Sequence, residues 1–306
     1  MKNYLWNGIA MKTAFYMVAV LLVMSCKIVS VQEVSFNQGY QIAVCDWMIL
    51  KRQNLGAFDT AGEIGADGLE VDMGGLGNRI TFDNKLLDPV QRKVFLDKSE
   101  ETGVAISSIA MSGFYAHSFP SREGVDKLLD DCINTMVLIG VSVAFLPLGV
   151  EGDLVKFPER RGAVVDRLRM AGKKAEAAGV VIGIETSLDA QGEIDLLREV
   201  GSPAIKICFN FQNPLEAGRD LCEELKLLGR ERISHIHCTD TDGVLLKDNQ
   251  RLKMPEVKAV LDGMGWSGWL VVERSRDASR ISDVTGNFGA NVAYLKSVFQ
   301  PARLKP

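Results

Sequence analysis

VVIGIE (180–185), AIKICFN (204–210), ISHIH (233–237) and WLVVE (269–273) decide the fold of this chain. Each run is short, apolar and rich in β-branched residues, and each leads into turn residues and then a helical pattern. Such runs read as strands buried on both faces, the situation of a parallel sheet covered by helices. Working outward, four more runs of this kind precede them: QIAVCDW (41–47), GLEVDM (68–73), VAISSIAM (104–111) and SVAFLPLG (142–149). Strand starts recur every 24 to 38 residues, which is room for one strand and one returning helix. Clear helical stretches begin at Pro89, Val125, Glu159 and Arg219, and a last one covers roughly residues 283–299. Several stop at a glycine just before the next strand, the expected end signal. No Pro/Ser-rich linker interrupts the series, so residues 40–300 predict a single (β/α)8 barrel. An open doubly wound sheet is the alternative, but it usually carries a glycine-rich phosphate turn after its first strand, and Asp46-Trp47-Met48 is not one.

The four quoted runs end in Glu185, Asn210, His237 and Glu273. Side chains alternate along a strand, so all four can face the barrel axis at its carboxyl end, where barrel active sites are built. Carboxylate, carbonyl and single-imidazole donors together suit a divalent cation: Mn²⁺ or Mg²⁺, with Co²⁺ or Zn²⁺ also open. Ordinary polar strand caps are the structural alternative.

With these residues in place, the chain resembles the xylose-isomerase-like TIM barrels, also called the sugar phosphate isomerase/epimerase family, from about residue 40 to 299. The resemblance implies metal ligands in the order Glu, Asp, His, Glu from strands five to eight. Glu185 in GIETS, His237 in HIHCTD and Glu273 in VVERSRD match; Asn210 in CFNFQN stands at the Asp position. An Asn carbonyl ligates without charge, so the set would carry two negative charges rather than three. Three residues on, Asn213 stands where several relatives have a substrate-binding His. The resemblance further implies proton transfer beside the carbonyl of a sugar or keto-sugar, with Glu185 and Glu273 as acid and base. A lyase or hydratase acting on 3-keto-glycosides through the same proton abstraction, and a non-catalytic sugar-binding barrel, stay open. The endonuclease IV branch needs many histidines; His117, His235 and His237 are the whole supply.

Around this set, Trp47 and His117 are candidates for holding a sugar, as are Asn213, His235, Arg251 and Arg276. Phe114 and Tyr115 lie in the same loop as His117, and flat faces suit the apolar side of a sugar ring. Arg274 has outward parity and reads as solvated or helix-paired. Glu70 and Lys206 have inward parity, and a buried charge needs a partner, so these two are expected to pair within the barrel.

The remaining composition narrows the partners. The chain has 306 residues, 47% apolar, with a net charge of −4 and no basic footprint for nucleic acid. Lys2 and Lys12 precede an apolar run from Ala14 to Met24, the length of a signal-peptide core rather than a membrane span. Val23-Met24-Ser25-Cys26 resembles a bacterial lipoprotein box, and Met11 is a second candidate start. Residues 1–30 therefore read as a signal segment, which predicts an exported, periplasmic or lipid-anchored protein, with Cys26 as its only membrane attachment. Export favours free sugars or glycosides over phosphorylated sugars. Cys45, Cys132, Cys208, Cys222 and Cys238 are scattered, and no disulfide framework is expected. A homodimer is an open expectation.

Overall fold

A computed structural model describes residues 39–301. The signal segment and Cys26 lie outside the described residues. Eight strands, β1 (Gln41–Cys45), β2 (Gly68–Asp72), β3 (Ala105–Ala110), β4 (Val143–Pro147), β5 (Val181–Glu185), β6 (Ile205–Asn210), β7 (Ile233–His237) and β8 (Trp269–Val272), pair in sequence order, all parallel, into a closed barrel. The (β/α)8 expectation holds strand by strand. Helices α1 (Gly56–Glu63), α2 (Pro89–Thr102), α3 (Val125–Ile139), α4 (Arg161–Ala178), α5 (Ala190–Val200), α6 (Gln212–Glu216), α7 (Leu221–Leu228), α8 (Met254–Met264) and α9 (Val284–Phe299) return the chain.

The helix ends follow from local chemistry. Asp88, Asp189, Asp220 and Asp283 cap α2, α5, α7 and α9 by accepting hydrogen bonds from first-turn N–H groups. Gly103, Gly140, Gly179, Gly201 and Gly265 end α2, α3, α4, α5 and α8 in the left-handed conformation that a side chain would oppose. Among the described residues no helix is long and apolar enough to cross a membrane, and the five cysteines are free thiols.

The main core lies between the sheet and the helices, and is built of residues such as Ile42, Val44, Leu69, Ile109, Ile182, Ile184, Ile207 and Leu270. Inside the barrel the packing differs: Ala43, Cys45 and Val271 form one small apolar group, Ala110, Phe145 and Cys208 another. Between these groups lies a polar layer of Glu70, Ser108, His235 and His237, all buried.

The expected Lys206–Glu70 pair is absent. Glu70 is taken instead by His235, His237 and Ser108. Lys206 sits a layer lower, level with Gly183, and faces a 540 Å³ cavity at the opposite mouth of the barrel with Arg230 and Trp266. The His rings of β7 reach Glu70 instead.

Gly183 makes room for this layer. A Cβ there would lie 2.2 Å from Ser234 Oγ and 3.0 Å from the His235 ring. Gly183→Ala should therefore lower unfolding free energy by about 1–3 kcal/mol, the usual cost of overpacking, read as a fall in the urea midpoint at unchanged slope.

Candidate active site

β-Strand register assembles the rim. Asn210 of β6 pairs with His237 of β7, and Pro147 of β4 with Glu185 of β5. Glu273 follows β8 immediately, and two residues later Ser275 takes a left-handed turn (φ 64°). Ser275 is held in that unfavourable geometry by Asp240 and by the amide of Asn291, which fixes how the chain leaves Glu273.

His237 is oriented from below. Its Nε2 lies 3.0 Å from Glu70 Oε1, and an ionised carboxylate only accepts, so Nε2 donates. Burial would raise the pKa of Glu70, yet His237 and His235 hold it well below the ordinary range. The other ring nitrogen, Nδ1, then faces the rim, 3.5 Å from Glu273 Oε2 and 4.0 Å from Glu185 Oε2, with no hydrogen-bond partner.

His235 completes the layer. The Ser234 hydroxyl donates to the Ile207 carbonyl, leaving its oxygen to accept from His235 Nδ1. Nε2 lies 3.3 Å from Glu70 Oε2. Burial opposes a charge on this ring, but Cys208 and Glu70 push its pKa up to about 9. His235 thus lies against Glu70 beneath the rim, with Nε2 near the carboxylate but not hydrogen-bonded to it. This corrects its expected role in substrate binding: one layer down, it does not reach the cavities.

Glu185 and Glu273 are joined by Tyr115, which the sequence offered only as an aromatic face for a sugar ring. The Tyr115 hydroxyl lies 2.9 Å from Glu185 Oε2 and 3.2 Å from Glu273 Oε1. The two carboxyls differ in surroundings. Burial and the charge of Glu273 raise the pKa of Glu185. Burial also opposes the charge on Glu273, but His237 and Arg274 outweigh it and bring its pKa below the ordinary value. The surroundings of the two carboxyls therefore displace their proton affinities in opposite directions.

Asn210 accepts from the Gln212 backbone N–H through Oδ1, 3.0 Å, which settles the amide's orientation. Its Nδ2 therefore donates to Glu273 Oε2, 3.1 Å. The expectation of a carbonyl ligand is corrected: a donor amide faces the site, and an N–H₂ group does not ligate a cation. The remaining donors do fit one. His237 Nδ1 is a buried, unsatisfied nitrogen beside two carboxylates, and the surroundings that favour a proton on this ring also favour a cation. Glu185, His237 and Glu273 are the residues that would hold it.

Two cavities open onto this pair. The larger, 530 Å³, reaches Glu273 and is lined by Trp47, Met48, Leu76, His117 and Arg274. The smaller, 220 Å³, reaches Glu185 and is lined by Asp153, Lys156, Ser187, Gln212 and Asn213. Tyr115 and Val150 line both. Trp47 stacks parallel to Phe145 at 6.4 Å, and Asn213 Nδ2 donates to the Thr186 carbonyl and, at 3.4 Å, to Glu185.

Trp47, His117 and Asn213 are thus brought to the site. Arg251 and Arg276 are not. Arg251 is clamped on Asp240 and Arg276 on Asp242, each through two nitrogens, so both brace the loops after β7 and β8. A bidentate pair satisfies the guanidinium fork that a substrate would have used. Arg274 departs from its parity because β8 ends at Val272, and it lines the larger cavity. Of the neighbouring aromatics, Phe114 is core, packed on Phe82 and Phe119, and Tyr115 faces the glutamates. They are adjacent in a 3₁₀ turn, where successive side chains point about 120° apart. Only the anchoring of that turn, through the Ser112 backbone N–H to buried Asp72, decides which faces in.

Residues 58–298 match the family model of the xylose isomerase-like TIM barrel. A 2-epi-5-epi-valiolone 7-phosphate 2-epimerase from Actinoplanes sp. is 27% identical over 184 residues, which span 59% of this chain and 65% of the relative. Among solved structures, a 3-keto-D-glucoside 4-epimerase from E. coli superposes with TM-score 0.65 at 17% identity, covering 84% of this chain and 99% of that one. D-psicose 3-epimerase from Clostridium cellulolyticum H10 gives 0.64 at 14%, covering 84% and 99%. The IOLI protein, solved with a bound zinc atom, gives 0.63 at 16%, covering 85% and 99%. By barrel, rim order and family match together, the chain belongs to the xylose isomerase-like TIM barrel family.

Proposed function

We propose that the protein is a sugar isomerase or epimerase that moves a proton beside the carbonyl of a sugar or keto-sugar, with Glu273 as base and Glu185 as acid. One observation carries this reading: the carboxyls of Glu185 and buried Glu273 flank a single hydroxyl-sized position, held here by Tyr115 Oη, and their surroundings push their proton affinities in opposite directions. A substrate carbon that displaces the hydroxyl from that position presents its C–H to Glu273. The carboxylate takes the proton, and the C–H electron pair forms the double bond of an enediolate while the carbonyl electrons move onto oxygen. Glu185 then returns a proton, to the opposite face for epimerisation or to the neighbouring carbon for isomerisation, in which case the proton of the enediolate hydroxyl passes to the former carbonyl oxygen and leaves the new carbonyl behind. The amide of Asn210 steadies Glu273, and Asn213 steadies Glu185. Glu185, His237 and Glu273 would hold a divalent cation, whose positive charge would stabilise the developing oxyanion. The epimerase names among the relatives and the zinc in one of them support this reading.

The same base could instead expel a substituent from the carbon beyond, the lyase reading; a product that has lost water or an aglycone separates it from an isomer of unchanged mass. The apolar run at Ala14–Met24 followed by Cys26 supports an exported protein that meets free sugars or glycosides.

The test is metal content together with deuterium uptake by a panel of free sugars and 3-keto-glycosides in D₂O. Glu273→Gln should lower exchange by roughly 10² to 10⁴, the usual worth of a general base, with an unchanged circular dichroism spectrum; full exchange in that variant sinks the assignment. Asn210→Asp should replace a donor to Glu273 with a third carboxylate. We expect Mn²⁺ to bind at least about tenfold more tightly by calorimetry, and the metal-free protein to lose about 1–3 kcal/mol of stability from the unpaired buried charge.

A further inference from the structure

We infer that the substrate has two parts, a polyhydroxylated ring carrying the reacting carbon and a second ring with a flat apolar face, so that the preferred class is a glycoside rather than a free monosaccharide. The inference rests on the acid–base pair proposed above and adds what flanks it. Glu185 opens only to the smaller cavity and Glu273 only to the larger, with Tyr115 as the wall between them. Tyr115 Oη now holds the position between the two carboxyls, and a carbon that displaces it opens the wall and directs one part of the molecule into each cavity.

The two cavities differ in chemistry. The smaller is lined by hydrogen-bonding groups, Asp153, Lys156, Ser187, Gln212 and Asn213, in 220 Å³, a size and polarity suited to one sugar ring. The larger is more than twice that volume. Its walls are Trp47, Met48, Leu76, Val150 and Ala116, with Arg52, His117 and Arg274 among the polar residues that line it. Its 530 Å³ falls within the roughly 300–1,000 Å³ of ordinary small-molecule sites, and a lone monosaccharide would leave much of it wet. The indole of Trp47 is backed by Phe145, so its orientation is set before a ligand arrives. A fixed aromatic face binds the C–H face of a sugar or an aromatic ring, and either satisfies the geometry.

Methyl β-glucoside, phenyl β-glucoside and cellobiose serve as probes, each titrated calorimetrically into the full chain. The two-ring probes should bind about tenfold more tightly than the one-ring probe, in line with one added aromatic contact. Trp47→Ala should remove that advantage, and so should Ala116→Trp, which fills the larger cavity from an exposed rim position. Gain with phenyl β-glucoside alone assigns the second part to an aromatic ring; gain with cellobiose alone assigns it to a sugar. Equal affinity for all three, or an advantage that survives both substitutions, overturns the two-part reading and leaves the acid–base pair standing. Failure of every probe to bind the folded protein overturns it as well, while deuterium exchange from free sugars decides the acid–base reading separately.

Discussion

The carboxylate of Glu70, buried on the barrel axis, is the charge around which the site is organised. A carboxylate removed from water is costly unless it is paired and hydrogen-bonded. Glu70 accepts from Ser108 Oγ at 2.6 Å and from His237 Nε2 at 3.0 Å, and the His235 ring lies 3.3 Å away. In accepting from Nε2, it turns the other nitrogen of His237 toward Glu185 and Glu273. Carboxylate–histidine pairs of this kind set the tautomer and direction of metal-binding imidazoles generally. Without Glu70, nothing on the axis would fix which edge of the ring meets the rim.

The rim is held by a second set of constraints, all using short polar side chains at strand ends. Asp46 accepts from the backbone of Gln53 and Asp72, Asp72 accepts from Gly74 and Ser112, and Asp240 clamps Arg251 and Asn249. These bonds tie the loops after β1, β2, β3 and β7 to the sheet. The outcome is a pair of glutamates whose surroundings differ. Glu273 sits among His237, Arg274 and the amide of Asn210, whereas Glu185 meets burial and a neighbouring negative charge. On that asymmetry rests the proposed direction of proton transfer, in a chain that belongs to the xylose isomerase-like TIM barrel family.

Much of this was legible in the chain. Apolar β-branched runs at regular intervals specify parallel strands, because only a sheet covered on both faces needs them, and glycine stops mark where each helix returns. Parity placed Glu185, Asn210, His237 and Glu273 on one rim, since alternation along a strand is purely local. Parity failed where a strand had ended, as at Arg274, and where a side chain was long, as at Lys206. It also could not assign depth: His235 shares a face with His237 but lies a layer lower, beside Glu70 rather than at the rim. Arg251 and Arg276 read as free guanidinium groups only because their carboxylates, Asp240 and Asp242, lie 11 and 34 residues away in sequence.

The sequence by itself determined the barrel, the order of its strands and the identities at their ends, because those follow from periodicity and from residue chemistry. Tertiary structure alone decided which of those groups meet. Tyr115 faces the glutamates and Phe114 the core because Asp72 anchors their turn. Asn210 offers an amide rather than a carbonyl because a backbone N–H on α6 already holds its oxygen. Hydrogen bonds between residues far apart in the chain set side-chain direction, and local pattern carries no record of them.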